Sequence, residues 1–429
     1  MKALRVLVIV LLVAAPPGAA AAPPANPNAS AKAKQVLAYL QSLPQKAANK
    51  VLSGQNAQVG PKAPTGYTDF VEKLQQQTGK WVALVGVDYG YETIAADIKT
   101  VNQVAKQHWN KGGLVTVSHH LANPFTGGDA WDTSGVDLTK LITTGTPENT
   151  KWIGWLDEIA AGLAELRDAG VVVLWRPFHE MNGDWFWWSY KGNDWAPQAD
   201  FVALWKHMFN YFTSTKQLNN LLWVYAPNAQ LGPDSAKPTT HYYPGNAFVD
   251  VVGLDYYRDT LDELDAYSSY SSLAALGKPV AITEIGSKSQ RDGSFDNMLI
   301  INGIKSKAPK VVWWLNWHSW PGASVALVDC KNAGALLADP WVITLDEIAL
   351  GGTPDGGGPP VDAGAKDGPG PSSDGSVPAV DGAAPGDTTA PPGKDGDDGC
   401  GCRMDRRPCG AAGVVLLLVA LGLGWRRRR

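Results

Sequence analysis

Eight short runs of β-branched and apolar residues recur between positions 50 and 315. They are KVLSG (50–54), WVALVGV (81–87), GLVTVS (113–118), VVVLW (171–175), LLWVY (221–225), VDVVGL (249–254), KPVAIT (278–283) and KVVWWL (310–315). Near-continuous apolar runs of this length fit strands buried on both faces of a parallel sheet. Between them the period changes to that of a helix. IGWLDEIAAGLAELRDAG sets Ile153, Leu156, Ile159, Leu163 and Leu166 on one side and stops at Gly170. FVALWKHMFNYF does the same with Phe201, Leu204, Trp205, Met208, Phe209 and Phe212. Strands alternating with helices predict an α/β fold, a (β/α)8 TIM barrel over residues 30–350. A doubly wound sheet is the alternative, but no Gly-rich phosphate loop follows the first run.

The pattern fails at both ends of the chain. Residues 1–22 carry Lys2 and Arg5, an apolar run and then small residues around Ala20 to Ala22, the arrangement of a secretory signal peptide. Residues 351–399 hold Gly, Pro, Asp, Ala and Ser without any aromatic, Leu or Ile, which predicts a disordered, mildly acidic linker. Residues 400–429 join a Cys motif to an apolar stretch from about Ala411 to Trp425 and four arginines. This tail is the expected anchor, and membrane contact is expected only through it. Secreted or cell-surface placement follows as an expectation.

Composition narrows the function. A formal net charge of −4 gives no basic excess, which argues against nucleic acid as partner. Of the four cysteines only Cys330 falls in the globular part, so no disulfide framework can form there. The 18 tryptophans, all but Trp425 between positions 81 and 341, suit either an aromatic core or platforms for sugar faces. A monomeric catalytic domain is expected.

A TIM barrel carries its chemistry at the C-terminal ends of its strands. There the sequence places Gln55 and Asn56, Asp88, His119 and His120, Arg176, His179 and Glu180, Asn228, Asp255 and Tyr257, Glu284, and Asn316, Trp317 and His318. Any one of these can be a satisfied structural residue, but eight strand ends in succession are poorly explained that way. Glu180 and Glu284 follow strands four and seven, nearly opposite across the mouth. Glycosidic bond hydrolysis needs two such carboxyl groups in unequal states, one a neutral acid and the other a charged nucleophile or base. The aromatic stretch RPFHEMNGDWFWWS (176–189) would disfavour charge on Glu180, while Arg176 and Tyr257 are placed to hold the charge of Glu284. In that stretch Arg176, His179 and Asn182 are expected to bind hydroxyls, and its tryptophans to face sugar rings. A structural ion pair with Arg176 would explain Glu180 alone, but not the two glutamates together. No H-x-H or H-E-x-x-H spacing supports a metal site, and no G-x-S-x-G elbow supports a serine nucleophile.

WRPFHEMNGDWFWWS is very similar to the strand-four motif of glycoside hydrolase family 26, whose best-known members are secreted β-mannanases. VLSGQNA, GLVTVSHHLANP, HYYPGNAFVDVVGLDYY and KPVAITEIG resemble that family in the same order. The resemblance implies retaining hydrolysis of a β-linked polysaccharide without a cofactor, with Glu180 as acid/base and Glu284 as nucleophile. It implies substrate-binding roles for His120, Arg176, His179, Asn182, Trp185, Asp255, Tyr257 and Trp317, with Arg176 and Tyr257 holding the nucleophile. His119 stands where many members have Trp, and His318 follows Trp317 where mannanases often have Arg. The expected activity is endo-β-1,4-mannanase. Mixed-linkage β-glucan and β-1,3-xylan are the alternative polymers, and a non-catalytic polysaccharide-binding protein is the alternative of another class. The tail at 400–429 resembles myxobacterial C-terminal sorting signals.

Overall fold

The computed structural model describes residues 22–90, 93–191 and 194–350. The expected signal peptide (apart from Ala22), the linker at 351–399 and the tail at 400–429 lie outside the described residues.

Each expected run forms a strand. β1 comes in two pieces, Val51–Leu52 and Gly54–Asn56. It is followed by β2 (Leu84–Tyr89), β3 (Leu114–His119), β4 (Val173–Arg176), β5 (Leu221–Tyr225), β6 (Val251–Tyr257), β7 (Val280–Gly286) and β8 (Val311–Asn316). Every neighbouring pair is parallel, and β8 bonds back to β1, so the sheet closes into a barrel. Closure removes the exposed edges that an open sheet would leave.

Register fixes what fills the barrel. Leu84 pairs with Leu114, Gly86 with Thr116, and Asp88 with Ser118. On β4, Leu174 and Arg176 extend the second and third of these rows. Paired residues of parallel strands share a face, so the interior changes from apolar to polar towards the C-terminal ends. Below the polar row, Leu52, Leu84, Leu114, Leu222 and Trp313 join one buried cluster with Val36, Leu37 and Leu40 of α1 (Ala31–Ser42). Ser30 caps that helix, its side chain accepting from the Ala33 N–H at 3.1 Å. The helix plugs the barrel's N-terminal mouth, so only the opposite mouth is left for chemistry.

Helices cover the outside. α2 (Lys73–Thr78) and α3 (Ile94–Asn110) follow β1 and β2, and α4 (Pro147–Asp168) follows β3. α5 (Gln198–Asn210), α6 (Ser269–Ala274), α7 (Met298–Lys307) and α8 (Ala333–Leu337) follow, and a short helix at Leu138–Ile142 precedes α4. α4 starts before the expected stripe: Pro147 occupies its first turn and the Thr146 side chain accepts from Asn149 N–H. Its buried face therefore begins with Asn149 and Trp152, and Ile153 is only half-buried. One crossover departs from the alternation. Between β5 and β6 the chain makes only a 3-10 turn, Asn246–Phe248, because Pro244 and the positive-φ Gly245 (104°) break any helix there.

Leu40 is completely buried at the plugged mouth. Leu40→Ala should destabilise the domain by about 2–5 kcal/mol in denaturant unfolding. A loss well below that range would show that α1 does not close the barrel core.

Candidate active site

Two local departures from regular geometry bring the glutamates together. On β7, Ala281 and Thr283 face inward, so strict alternation would turn Glu284 outward. The register slips between Ile282, opposite Leu254, and Glu284, opposite Asp255. This bulge puts Glu284 on the same inner face as Asp255. After β4, Phe178 and Glu180 both take φ of 53°, uncommon for residues with a side chain. The turn is pinned by Glu180 N–H donating to the Ala226 carbonyl at 2.7 Å and Gly183 N–H donating to the Glu180 carbonyl at 2.9 Å.

The result is a crowded acidic centre. One carboxylate oxygen from each of Glu180, Asp255 and Glu284 lies within 4.8 Å of the other two, and all three residues are buried. Arg176, at the end of β4, bridges two of them: Nη1 donates to Asp255 at 2.9 Å and Nη2 to Glu284 at 2.5 Å. Tyr257 donates its hydroxyl to the other oxygen of Glu284 at 2.7 Å. Three carboxylates at this spacing would also suit a cation. In this site the positive charge beside Asp255 and Glu284 is a guanidinium supplied by the chain itself.

Glu180 has no basic hydrogen-bond partner among the described residues. Its Oε2 accepts from Trp185 Nε1 at 2.7 Å, and its Oε1 is buried without a hydrogen bond from them. Burial, then the charges of Asp255 and Glu284, push its carboxyl well above the usual range. A protonated Glu180 beside a Glu284 that accepts at both oxygens is the unequal pair glycoside hydrolysis requires.

Next to this pair lies a second chain of polar groups. His120 Nδ1 meets Asp88 Oδ2 at 3.0 Å, and the two Nε2 atoms of His120 and His179 are 3.1 Å apart. Burial first, then the neighbouring His120, push His179 well below the usual histidine range.

The other expected residues divide. Trp185 is half-buried and lies flat over Gly183, where a Cβ would fall 2.4 Å from its ring. Trp317 is 3% exposed and faces His120, with ring centroids 6.3 Å apart. Asn182 does not offer its amide to a cleft: Nδ2 donates to the Asn228 and Lys237 carbonyls, and Oδ1 accepts from Asn228 N–H. It ties the β4 and β5 loops together. Trp187 and Trp188 are core residues, donating to the Leu121 and His179 carbonyls. Gln55 and Asn316 likewise spend their amides on neighbouring groups of the chain. His119 points away from the barrel mouth into Trp175, Phe178 and Trp188, and burial pushes it down to about 3. His318 is buried with Nδ1 2.9 Å from Asn56 Oδ1. Trp131 was not singled out by the sequence; it stacks on His120 with centroids 5.7 Å apart. Its signal is the turn-rich loop NPFTGGDAWDTSG, which Asn123 folds by bonding to Phe125, Thr126, Asp132 and Ser134.

Residues 25–347 match the family described as Glycosyl hydrolase family 26. The chain belongs to that family. A mannan endo-1,4-beta-mannosidase from Bacillus subtilis (strain 168) is 37% identical over 338 residues, which cover 76% of this chain and 89% of that protein. The structure of a Bacillus subtilis mannanase superposes with a TM-score of 0.68 at 33% identity, covering 76% of this chain and 96% of the other. A β-mannanase from a symbiotic protist of the termite Reticulitermes speratus, complexed with gluco-manno-oligosaccharide, gives 0.60 at 30% identity, covering 76% and 96%. As in other family 26 members of this fold, the chain is a (β/α)8 glycoside hydrolase.

The raised carboxyl of Glu180 has a thermodynamic consequence. The folded state holds this proton at pH values where the unfolded chain, near the ordinary value of about 4.3, has lost it. Stability is therefore fully present below that value and is lost as pH rises through the folded one. Glu180→Gln should stabilise the domain increasingly with pH, by about 1.4 kcal/mol per unit within that window. Equal unfolding free energies for both proteins at every pH would contradict a protonated Glu180.

Proposed function

We propose that this chain is an endo-acting β-1,4-mannosidase that hydrolyses mannan-type polysaccharide with retention of configuration. The observation that carries the reading is the approach of Glu180 and Glu284 oxygens to within 4.8 Å, beside a guanidinium that serves only one of the two. Retaining enzymes hold their carboxyl groups about 5–5.5 Å apart, whereas inverting ones leave about 6.5–9.5 Å for a water.

In the first step an oxygen of Glu284 bonds to the anomeric carbon while the glycosidic C–O bond breaks. The Glu180 proton passes to the departing oxygen, from the carboxyl whose Oε1 is left unbonded by the described residues. Glu284 is then a neutral ester, and one of the charges that raised Glu180 has gone. Glu180 can now remain ionised long enough to take a proton from water. That water attacks the same carbon, the ester bond breaks, and both groups return to their starting states. Trp185 bonds to the acid, and Trp317 and His179 pack on His120 near it. Aromatic faces and neighbouring hydrogen-bonding groups suit a pyranose.

Export and surface retention belong to the same proposal, supported by the patterns at residues 1–22 and 400–429, as does a monomeric catalytic domain. Detection of the domain on intact cells by added protease, and a single-chain mass in solution, test these parts. Substrate choice is tested by reducing-sugar release from mannan, glucomannan, lichenan and β-1,3-xylan. Mannan and glucomannan should be cut to mixed oligosaccharides; a preference for lichenan or xylan would overturn the assignment.

Glu284→Ala should lower kcat on mannan by at least about 10⁴-fold, since the nucleophile opens the covalent route. Glu180→Ala should lose a comparable factor on mannan. It should nevertheless still form the glycosyl-enzyme quickly from dinitrophenyl mannobioside, whose leaving group needs no proton. Full mannanase activity in the first variant, or equal loss on both substrates in the second, would overturn the roles of nucleophile and acid.

A further inference from the structure

Asp88 ends β2 in the polar row of the barrel, paired with Ser118 of β3. Its hydrogen bonds run to that strand and its continuation. Oδ2 accepts from Ser118 Oγ at 2.5 Å and faces His120 Nδ1 at 3.0 Å, while Oδ1 accepts from the His120 backbone N–H at 3.0 Å. A carboxylate only accepts, so His120 must carry a proton on Nδ1 to complete this set. In the neutral imidazole its Nε2 then holds a lone pair. That lone pair points at His179 Nε2, 3.1 Å away, and two nitrogens at this distance share one proton. The proton therefore belongs to His179 Nε2, and the remaining nitrogen of His179 is an acceptor. That Nδ1 is buried with no partner among the described residues, and its residue directly precedes the acid Glu180.

The geometry points to Asp88 as a positioning residue for the reaction: through His120 it fixes the proton on Nε2 of His179, so that Nδ1 of His179, the residue directly before Glu180, is left as an acceptor. The inference rests on the hydrolase reading of this cleft. The logic is that of an outer carboxylate selecting a histidine tautomer, in this case passed through one imidazole to the next. A buried, neutral His179 agrees with it, because burial and the nearby Arg176 guanidinium disfavour a second proton. The rings are also held mechanically. His120 is stacked by Trp131 and edged by Phe186, so neither imidazole can turn over to restore the contact by rotation alone.

Asp88→Asn tests this without changing shape. The amide offers a donor where the carboxylate accepted, so His120 should move its proton to Nε2 and force His179 to carry its own on Nδ1. Histidine-selective 15N NMR of the whole protein reads both tautomers. Wild type should show His120 protonated at Nδ1 and His179 at Nε2, and D88N should show both reversed. D88N should lose kcat on mannan by about ten- to a hundredfold, the range found when outer-shell partners of metal-bound histidines are removed, with KM and the unfolding midpoint little changed. Ser118→Ala removes another bond to the same carboxylate but leaves the link to His120, and should keep wild-type tautomers and nearly wild-type kcat. The proposal is overturned if folded D88N retains wild-type kcat or tautomers, or if S118A loses as much as D88N. Should D88N not fold, the wild-type spectrum decides, since a proton on His179 Nδ1 contradicts the proposal. Wild-type hydrolysis of mannan is scored separately, so failure of the substrate assignment and failure of the tautomer assignment are distinguishable.

Discussion

Arg176 is the residue on which the catalytic centre depends. Asp255 and Glu284 are both buried beside it, and each accepts from a different nitrogen of its guanidinium. Without that cation two carboxylates would share a low-dielectric space, and removing one member of a buried ion pair commonly costs about 3–5 kcal/mol. Arg176 fits this place because its fork reaches two acids at once, which a lysine ammonium does with less geometric definition. Its asymmetry matters as much as its charge. It serves Asp255 and Glu284 but not Glu180, whose side chain bonds, among the described residues, to a neutral indole. Burial, then the charges of Asp255 and Glu284, makes Glu180 the proton donor, while burial and the charge of Glu284 raise the Asp255 carboxyl as well.

The barrel holds that asymmetry still. α1 seals the far mouth with Val36, Leu37 and Leu40, so the interior below the polar row is dry and packed. The bulge in β7 turns Glu284 inward, and the left-handed backbone at Phe178 and Glu180 aims the acid at it. Around the segment after β4, Phe178, Phe186, Trp187 and Trp188 pack on one another as a buried aromatic cluster. Of the many tryptophans, Trp152, Trp175, Trp187, Trp188, Trp205, Trp223, Trp313 and Trp314 are fully buried, so much of the tryptophan content is core.

Much of this was legible in the chain. Eight apolar runs became eight strands, because a parallel barrel buries both faces and its strands need no alternation. Glu180, Glu284, Arg176, Asp255, Tyr257, His120 and His179 meet at one mouth, because each sits at a strand end and the fold gathers strand ends. What escaped the sequence depends on tertiary registration. Strict period-two reasoning turns Glu284 outward, and only the slip against β6 reverses it. Asn182, Trp187 and Trp188 look like substrate groups because they lie beside the acid, yet their polar atoms are spent on loop carbonyls. His119 and His120 are adjacent, and alternation alone says that one faces the cleft and one the core. The family resemblance singled out His120, and the register of β3 gives the physical reason. Trp131 lies in a turn-rich loop whose fold comes from Asn123, and no periodicity reports where such a loop carries its ring.

The division of labour, with Glu284 attacking the sugar and Glu180 supplying the proton, leaves its mark on the product. Proton NMR of the reducing end freed in the first minutes of mannan oligosaccharide hydrolysis, before mutarotation, reads that mark. Double displacement at one carbon predicts that the β-anomer appears first. If the α-anomer appears first, a water rather than Glu284 has attacked, and the carboxylates around Arg176 perform a different task.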